Sequence, residues 1–186
     1  MPPLFAGAGV GDVMTAEIAG RPRRPGKPVQ IVALAGCSIV LLMTGIALTN
    51  GFLGGAAWPE RIQSPAAMIH IGISFLALPL TVVQLAQRKG TRPHRMIGYA
   101  WCGLLMAGAL ASFFIYELTG GFSPPHVFAA TTVIFVPWII YSARKRQRKT
   151  HRNLVLSIAF MQILAGALTF IPERRSIGDL FWPLFG

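Results

Sequence analysis

Acid is what this chain most lacks. Asp and Glu number six in 186 residues against seventeen Lys and Arg, and charged residues of both signs make up only 12%. None of the acids lies inside a long apolar stretch, and Glu60, Glu117 and Glu173 sit at or beyond the ends of such stretches. The absence of a mid-span acidic residue argues against a proton-coupled transporter. There is no Ser/His/Asp spacing, no phosphate-cradling glycine loop followed by Lys and no His/carboxylate zinc motif, so hydrolytic chemistry has little support. Cysteine is equally scarce. Cys37 and Cys102 fall in apolar surroundings without a CxxC or Cys/His metal spacing, so they read as small packing residues and identify no redox compartment. No solenoid-type repeat is present.

What the chain has in abundance is apolar surface: 53% of its residues are hydrophobic and its mean hydropathy is +0.56. This composition predicts a membrane protein with the lipid bilayer as its solvent. The net charge of +11 then reads first as a topology signal, and no nucleic-acid partner is expected. A helix crossing the hydrocarbon needs about 20 mainly apolar residues. Five stretches qualify, at 28–50, 66–87, 94–116, 124–143 and 151–171. The expected fold is all-α, an integral membrane bundle of five transmembrane helices in which spans two to five form an antiparallel four-helix core.

The connections carry nearly all the charge, because Lys or Arg at a helix centre costs roughly 2.5 to 3.5 kcal/mol on insertion scales. Arg21, Arg23, Arg24 and Lys27 precede the first span, Arg88, Lys89, Arg92 and Arg95 lie between the second and third, and Arg144, Lys145, Arg146, Arg148, Lys149 and Arg152 between the fourth and fifth. Only Arg61, Arg174 and Arg175 belong to the opposite side. The positive-inside rule therefore predicts a cytoplasmic N-terminus and a periplasmic C-terminus in a bacterial inner membrane. An anionic-lipid patch would use the same face. Residues 1–27 read as a flexible basic cytoplasmic tail, with no charged start and apolar run of the signal-peptide kind within Met1 to Gly20. Residues 28–171 form the transmembrane domain. Residues 172–186, with Phe181, Trp182, Pro183 and Phe185, read as an interfacial aromatic tail.

All four histidines open a span: His70 about one turn inside the second, His94 at the third, His126 at the fourth and His151 at the fifth. Since neighbouring helices alternate in direction, His70 and His126 belong to the outer side, His94 and His151 to the cytoplasmic side. The pairs are 56 and 57 residues apart, one complete out-and-back excursion each. A haem held between two helices needs one imidazole from each at matching depth, so the four are candidate metal and cofactor ligands. Arg95 and Arg152 are suited to haem propionates, and equally serve as positive-inside markers. Two stacked irons would lie roughly 20 Å apart in a hydrocarbon layer of ~30 Å. With both axial positions filled they would transfer electrons and leave oxygen alone. Helical walks from each histidine meet small and polar residues: Ser74, Ala77, Thr81 and Gln84; Gly98, Trp101, Leu105, Gly108 and Ser112; Ala130, Val133 and Pro137; Val155, Ile158, Gln162, Ala165 and Thr169. Such faces leave room for a flat macrocycle or for a neighbouring helix.

From residue 94 onward, the runs His94-Arg95-Met96-Ile97-Gly98-Tyr99, Gly121-Phe122 before His126, His151-Arg152, and Ala165-Gly166-Ala167-Leu168-Thr169 ahead of Pro172-Glu173-Arg174-Arg175 carry a resemblance. Over about residues 66 to 182 the chain resembles an uncharacterised bacterial membrane-protein family, domain of unknown function 2306. The resemblance implies a multi-helix inner-membrane protein without an established activity. More distantly the chain is similar to transmembrane di-haem cytochromes of the b561 type, whose four core helices each donate one histidine. That likeness implies pairing of His70 with His126 and of His94 with His151. Those cytochromes have additional flanking helices and deeper ligands than His94 and His151. The expected function is transmembrane electron transfer by a b-type cytochrome-like protein holding one or two haem b groups, with a quinone or similar small carrier acting at one face. The alternative is a non-catalytic accessory subunit of a larger respiratory or photosynthetic complex or a homo-oligomer, without a cofactor or with a chlorophyll-type pigment.

Overall fold

The computed structural model describes residues 27–55, 57–59, 62–115, 124–171 and 177–185. Five long helices follow one another: α1 (Lys27–Phe52), α2 (Pro65–Ala86), α3 (Arg92–Ser112), α4 (Pro124–Arg144) and α5 (Arg148–Leu168). A short α6 (Gly178–Phe181) and a 3₁₀ turn at Trp182–Phe185 complete the chain, and the described residues contain no strand. The five expected spans fall on the five long helices to within about a turn. Residues 1–26 of the expected tail, Arg61, Arg174 and Arg175, and Gly121-Phe122 lie outside the described residues.

Four of the helices, α1, α2, α4 and α5, are long and apolar enough to cross a bilayer. Helix α3, 21 residues long like α4 and α5, carries Arg92, His94 and Arg95 in its first turn and Gly98, Gly103 and Gly108 along the remainder. Large apolar side chains such as Leu42, Leu76, Leu110, Ile134 and Leu164 stand exposed on every long helix, while Thr44, Thr81, Gln84, His126 and Ser142 are buried. Apolar outside and polar inside is the arrangement of a helical membrane protein, since hydrocarbon cannot satisfy a polar group.

Local chemistry sets the boundaries. Ser64 caps α2, its Oγ accepting from the Ala67 N–H at 3.3 Å, and Thr91 caps α3 in the same way through the His94 N–H at 3.3 Å; both helices carry Pro in their first two positions, where a missing N–H is harmless. Lys89 folds back over the end of α2, its Nζ donating to the carbonyls of Gln84 and Leu85. Desolvation there lowers its pKa below the ordinary lysine value. Between α4 and α5 the chain turns through Arg146 in the left-handed region at φ 57°. The Gln147 N–H reaches the Ser142 carbonyl at 2.9 Å across that turn, closing the C-terminus of α4.

Each long helix packs on the next in sequence, and α1 closes the circle against α5. The core is a five-member ring, which revises the expected four-helix core: α1 is inserted between α2 and α5 instead of being appended outside. Glycines make that closure possible. A Cβ on Gly36 would lie 2.6 Å from Ile163 Cδ1, and one on Gly166 would lie 2.4 Å from Val40 Cγ1, so each helix receives a branched side chain from the other where it lacks its own. Cys37, wholly buried, points its Sγ at the Ala159 carbonyl, 3.8 Å away, in the same seam. Gly166, next to Ala165 of the His151 walk, thus serves helix packing.

We call the end formed by the α2–α3 and α4–α5 connections the basic end and its opposite the far end. At the far end the described part of the aromatic tail folds onto the ring. Leu180 and Phe181 are buried with Ala47, Ala67 and Phe170, the Asn50 amide donates to the Leu180 carbonyl at 2.8 Å, and Trp182 Nε1 donates to the Phe170 carbonyl at 2.7 Å. Trp182 and Leu184 stay exposed.

Gly166→Ala forces overpacking against Val40 and is expected to lower stability by about 1–3 kcal/mol, read as a fall in Tm of the detergent-solubilised protein. Gly72→Ala, where nothing lies within 4 Å of an added Cβ, is expected to leave Tm unchanged or higher.

Candidate functional site

Two cavities lie along the ring, one towards each end, and three of the four histidines line them. The far-end cavity, about 250 Å³, is lined by residues from all five long helices and by Ile177 of the C-terminal segment. The basic-end cavity, about 180 Å³, is lined by α2 through α5. Among the described residues no three His, Cys, Asp or Glu side chains gather as a metal-binding group, so two imidazoles are the most that one cavity offers.

At the basic end the cavity lining includes both His94 and His151. The Thr91 cap fixes His94 in the first turn of α3, and Gln84 Nε2 donates to the His94 carbonyl at 2.9 Å, tying α2 to that turn. His94 Nδ1 is buried and has no hydrogen-bond partner. His151 Nδ1 lies 3.1 Å from the Ile139 carbonyl. A carbonyl only accepts, so that nitrogen carries the proton and Nε2 of the neutral ring keeps its lone pair. This is how metal-ligating histidines are commonly oriented. Arg95 lines the cavity, as does Arg144, which the sequence offered only as a loop charge. Arg152 is exposed and not among the lining residues.

At the far end His70 lines the cavity, and Nδ1 lies 2.8 Å from the Gly108 carbonyl of α3. Its Nε2 is again the atom left with a lone pair, 3.4 Å from Ser74 Oγ one turn along α2. His126 lies at the same end, buried, with its ring 6.0 Å from that of Phe113. It is not among the residues lining the His70 cavity, to which α4 contributes Phe128, Ala129 and Thr132.

Three of the four helical walks run along faces that turn inward: Ala77, Thr81 and Gln84 on α2, Trp101, Leu105 and Gly108 on α3, and Ile158 on α5 are buried. The α4 walk needs correction. Ala130 and Val133 are only partly buried and Pro137 is exposed, whereas Ala129, Val136 and Ile139 form the buried face. From His126 the inward stripe takes a first step of three residues, not four, and helical periodicity permits either.

Between the cavities lies a hydrogen-bonded chain. Trp101 Nε1 donates to Thr81 Oγ1 at 2.7 Å, and the Thr81 hydroxyl in turn donates to Gln162 Oε1 at 2.8 Å, with the Ala77 carbonyl at 3.0 Å sharing its proton. Trp101 and Thr81 are 1% and 0% exposed, while Gln162 is half-buried. Trp101 lines the basic-end cavity and Gln162 the far-end one. The three residues belong to α3, α2 and α5, so a single hydroxyl joins three helices.

Neither a protein family, a curated protein nor a solved structure matches this chain.

Thr81→Val keeps the shape of the side chain but strands the Trp101 N–H. Interhelical hydrogen bonds in membranes contribute about 0.6 kcal/mol on average and up to ~1.7, and losing two partners at once is expected to cost about 1–3 kcal/mol, measured as a lower Tm together with altered tryptophan emission.

Proposed function

We propose that this chain is a transmembrane electron-transfer protein of the b-cytochrome kind, with five spans, α3 included, and a haem b held at the basic end between His94 and His151. The observation that supports it is the meeting of two imidazoles from nonadjacent helices on one cavity, one of them oriented through Nδ1 to the Ile139 carbonyl. The donor set suits a six-coordinate haem iron. The cavity is smaller than the roughly 300 Å³ at which small-molecule sites begin, but Tyr99, Ala143 and Arg144 along it are exposed, so a flat ring has an open side. Arg95 and Arg144 bring guanidinium groups to that side, suited to propionates.

When bound, the haem supplies one-electron chemistry without an open coordination position. The protein's own part is to hold the two rings: Thr91 and Gln84 set the first turn of α3, and the α4 carbonyl sets the His151 tautomer. His70 and His126 do not share a cavity lining, so this reading uses one haem. The positive-inside rule places the basic end, with its Lys and Arg, in the cytoplasm of a bacterial inner membrane and the C-terminus on the periplasmic side. The distant likeness to the b561 type implies the same pairing of His94 with His151.

Purified full-length protein is expected to show a reduced-minus-oxidised spectrum with sharp low-spin haem bands. His94→Ala and His151→Ala are each expected to lower the haem-to-protein ratio roughly tenfold or more, while Arg152→Ala leaves it unchanged. A wild-type protein without tetrapyrrole absorption would overturn the proposal in favour of an accessory subunit, and a far-red band would point to a chlorophyll-type pigment.

A further inference from the structure

The far-end cavity has no role in that proposal, yet it is the larger of the two and the one to which every long helix contributes. Its lining is mainly apolar, and the hydrogen-bonding capacity of its polar groups can be followed one at a time. Thr132 and Thr169 direct their hydroxyl protons to carbonyls of their own helix turn, Phe128 at 2.8 Å and Gly166 at 2.6 Å. Ser74 is turned towards His70 Nε2 at 3.4 Å, a long contact, and α1 adds the Thr44 hydroxyl.

Three groups remain: the Thr44 hydroxyl, which can give or take a hydrogen bond, and two whose direction is fixed. His70 has its Nδ1–H committed to the Gly108 carbonyl, so Nε2 presents a lone pair and acts as an acceptor. Gln162 has its Oε1 committed to the Thr81 hydroxyl, so its amide N–H groups are what it has left to offer, and they are donors. The cavity thus pairs one fixed acceptor with one fixed donor, beside the Thr44 hydroxyl, in a half-open, mainly apolar space of about 250 Å³ bordered towards the far end by Ile177. That residue precedes Gly178, whose N–H is tied to the Thr169 carbonyl at 3.0 Å.

We infer that the far-end cavity is a binding site for a single hydroxylated ring of the hydroquinone class, one hydroxyl donating to His70 Nε2 and a second ring oxygen accepting from the Gln162 amide. The oxidised quinone has carbonyl oxygens only. It can accept from Gln162 but offers nothing to the His70 lone pair, so the site prefers the reduced form. A hydrocarbon ring satisfies neither group, leaving the Gln162 N–H groups without a ligand partner and Nε2 with only the long Ser74 contact, the kind of mismatch by which polar sites discriminate. Ala165, on the α5 part of the lining, marks where a larger side chain would fill the space without removing either hydrogen-bonding group. The assignment stands apart from the haem reading, since it shares no residue with the His94 and His151 site.

The test uses full-length protein in lipid nanodiscs and three probes of nearly the same shape: trimethylhydroquinone, trimethylbenzoquinone and trimethylbenzene, followed by equilibrium dialysis. Saturable binding of one hydroquinone per chain is expected, with the hydrocarbon weaker by about tenfold or more and the quinone between them. His70→Phe is expected to erase the preference for hydroquinone over quinone, and Ala165→Phe to abolish binding of both, in protein that stays monodisperse. Equal binding of the hydrocarbon and the hydroquinone to the wild-type protein would overturn the inference and make the cavity an apolar slot. Undiminished hydroquinone binding by Ala165→Phe would overturn it by placing the ligand elsewhere. Haem content, read by absorbance on the same samples, bears only on the basic-end site, so failure of either reading is seen separately.

Discussion

The Thr81 hydroxyl is the point from which the interior of this protein is organised. A chain surrounded by hydrocarbon has to satisfy its polar groups internally, and here one small side chain accepts from an indole on α3 and donates to an amide on α5. Helices in lipid gain little from apolar contact alone, because acyl chains are as apolar as leucine. Directional bonds and close backbone approach must therefore select the neighbours. Thr81 supplies the first in the middle of the ring, and Gly36 and Gly166 supply the second where α1 meets α5. Both devices act across helices distant in sequence, which is why the ring closes instead of splaying into a row of hairpins.

The same constraint explains the tautomers. His70 and His151 stand on different helices at opposite ends of the ring, yet each turns Nδ1 to a backbone carbonyl of the preceding or following helix. Carbonyls of a helix interior already accept one bond from within the helix and retain a second lone pair. At Gly108 the imidazole uses that lone pair, and at Ile139 it shares the carbonyl with the Ser142 hydroxyl, which donates at 3.0 Å. The cost of burying a ring N–H is thereby met by the backbone, and the other ring nitrogen is left for a ligand.

Much of this was legible in the sequence. The five helices could be read from their apolar stretches and intervening charges because bilayer thickness leaves few alternatives for length. The ends of α2 and α3 lay within a turn of expectation, as Ser64-Pro65 and Thr91-Arg92-Pro93 mark starts by local capping. The sidedness of the histidines followed from helix parity, and His94 and His151 do meet on one cavity. The position of α1 was not legible. Its place between α2 and α5 depends on Val40 and Ile163 fitting over facing glycines, a complementarity that appears only when two faces are set together. The rotation of α4 is not legible from His126, because steps of three and of four residues from it are both compatible with helical periodicity. Arg144 was counted as a loop charge although the last turn of α4 brings it to the cavity.

Placing a donor-only group at one end of the central chain has a consequence for what can pass between the cavities. An indole N–H gives a hydrogen bond and takes none, so protons cannot hop along Trp101, Thr81 and Gln162: the relay would require Trp101 to accept as well as donate. Ala77, Leu105 and Ile158, which line the far-end cavity, are buried with Trp101 in one apolar cluster. The bond from Trp101 to Thr81, which holds three helices together, therefore also interrupts a proton path along this chain.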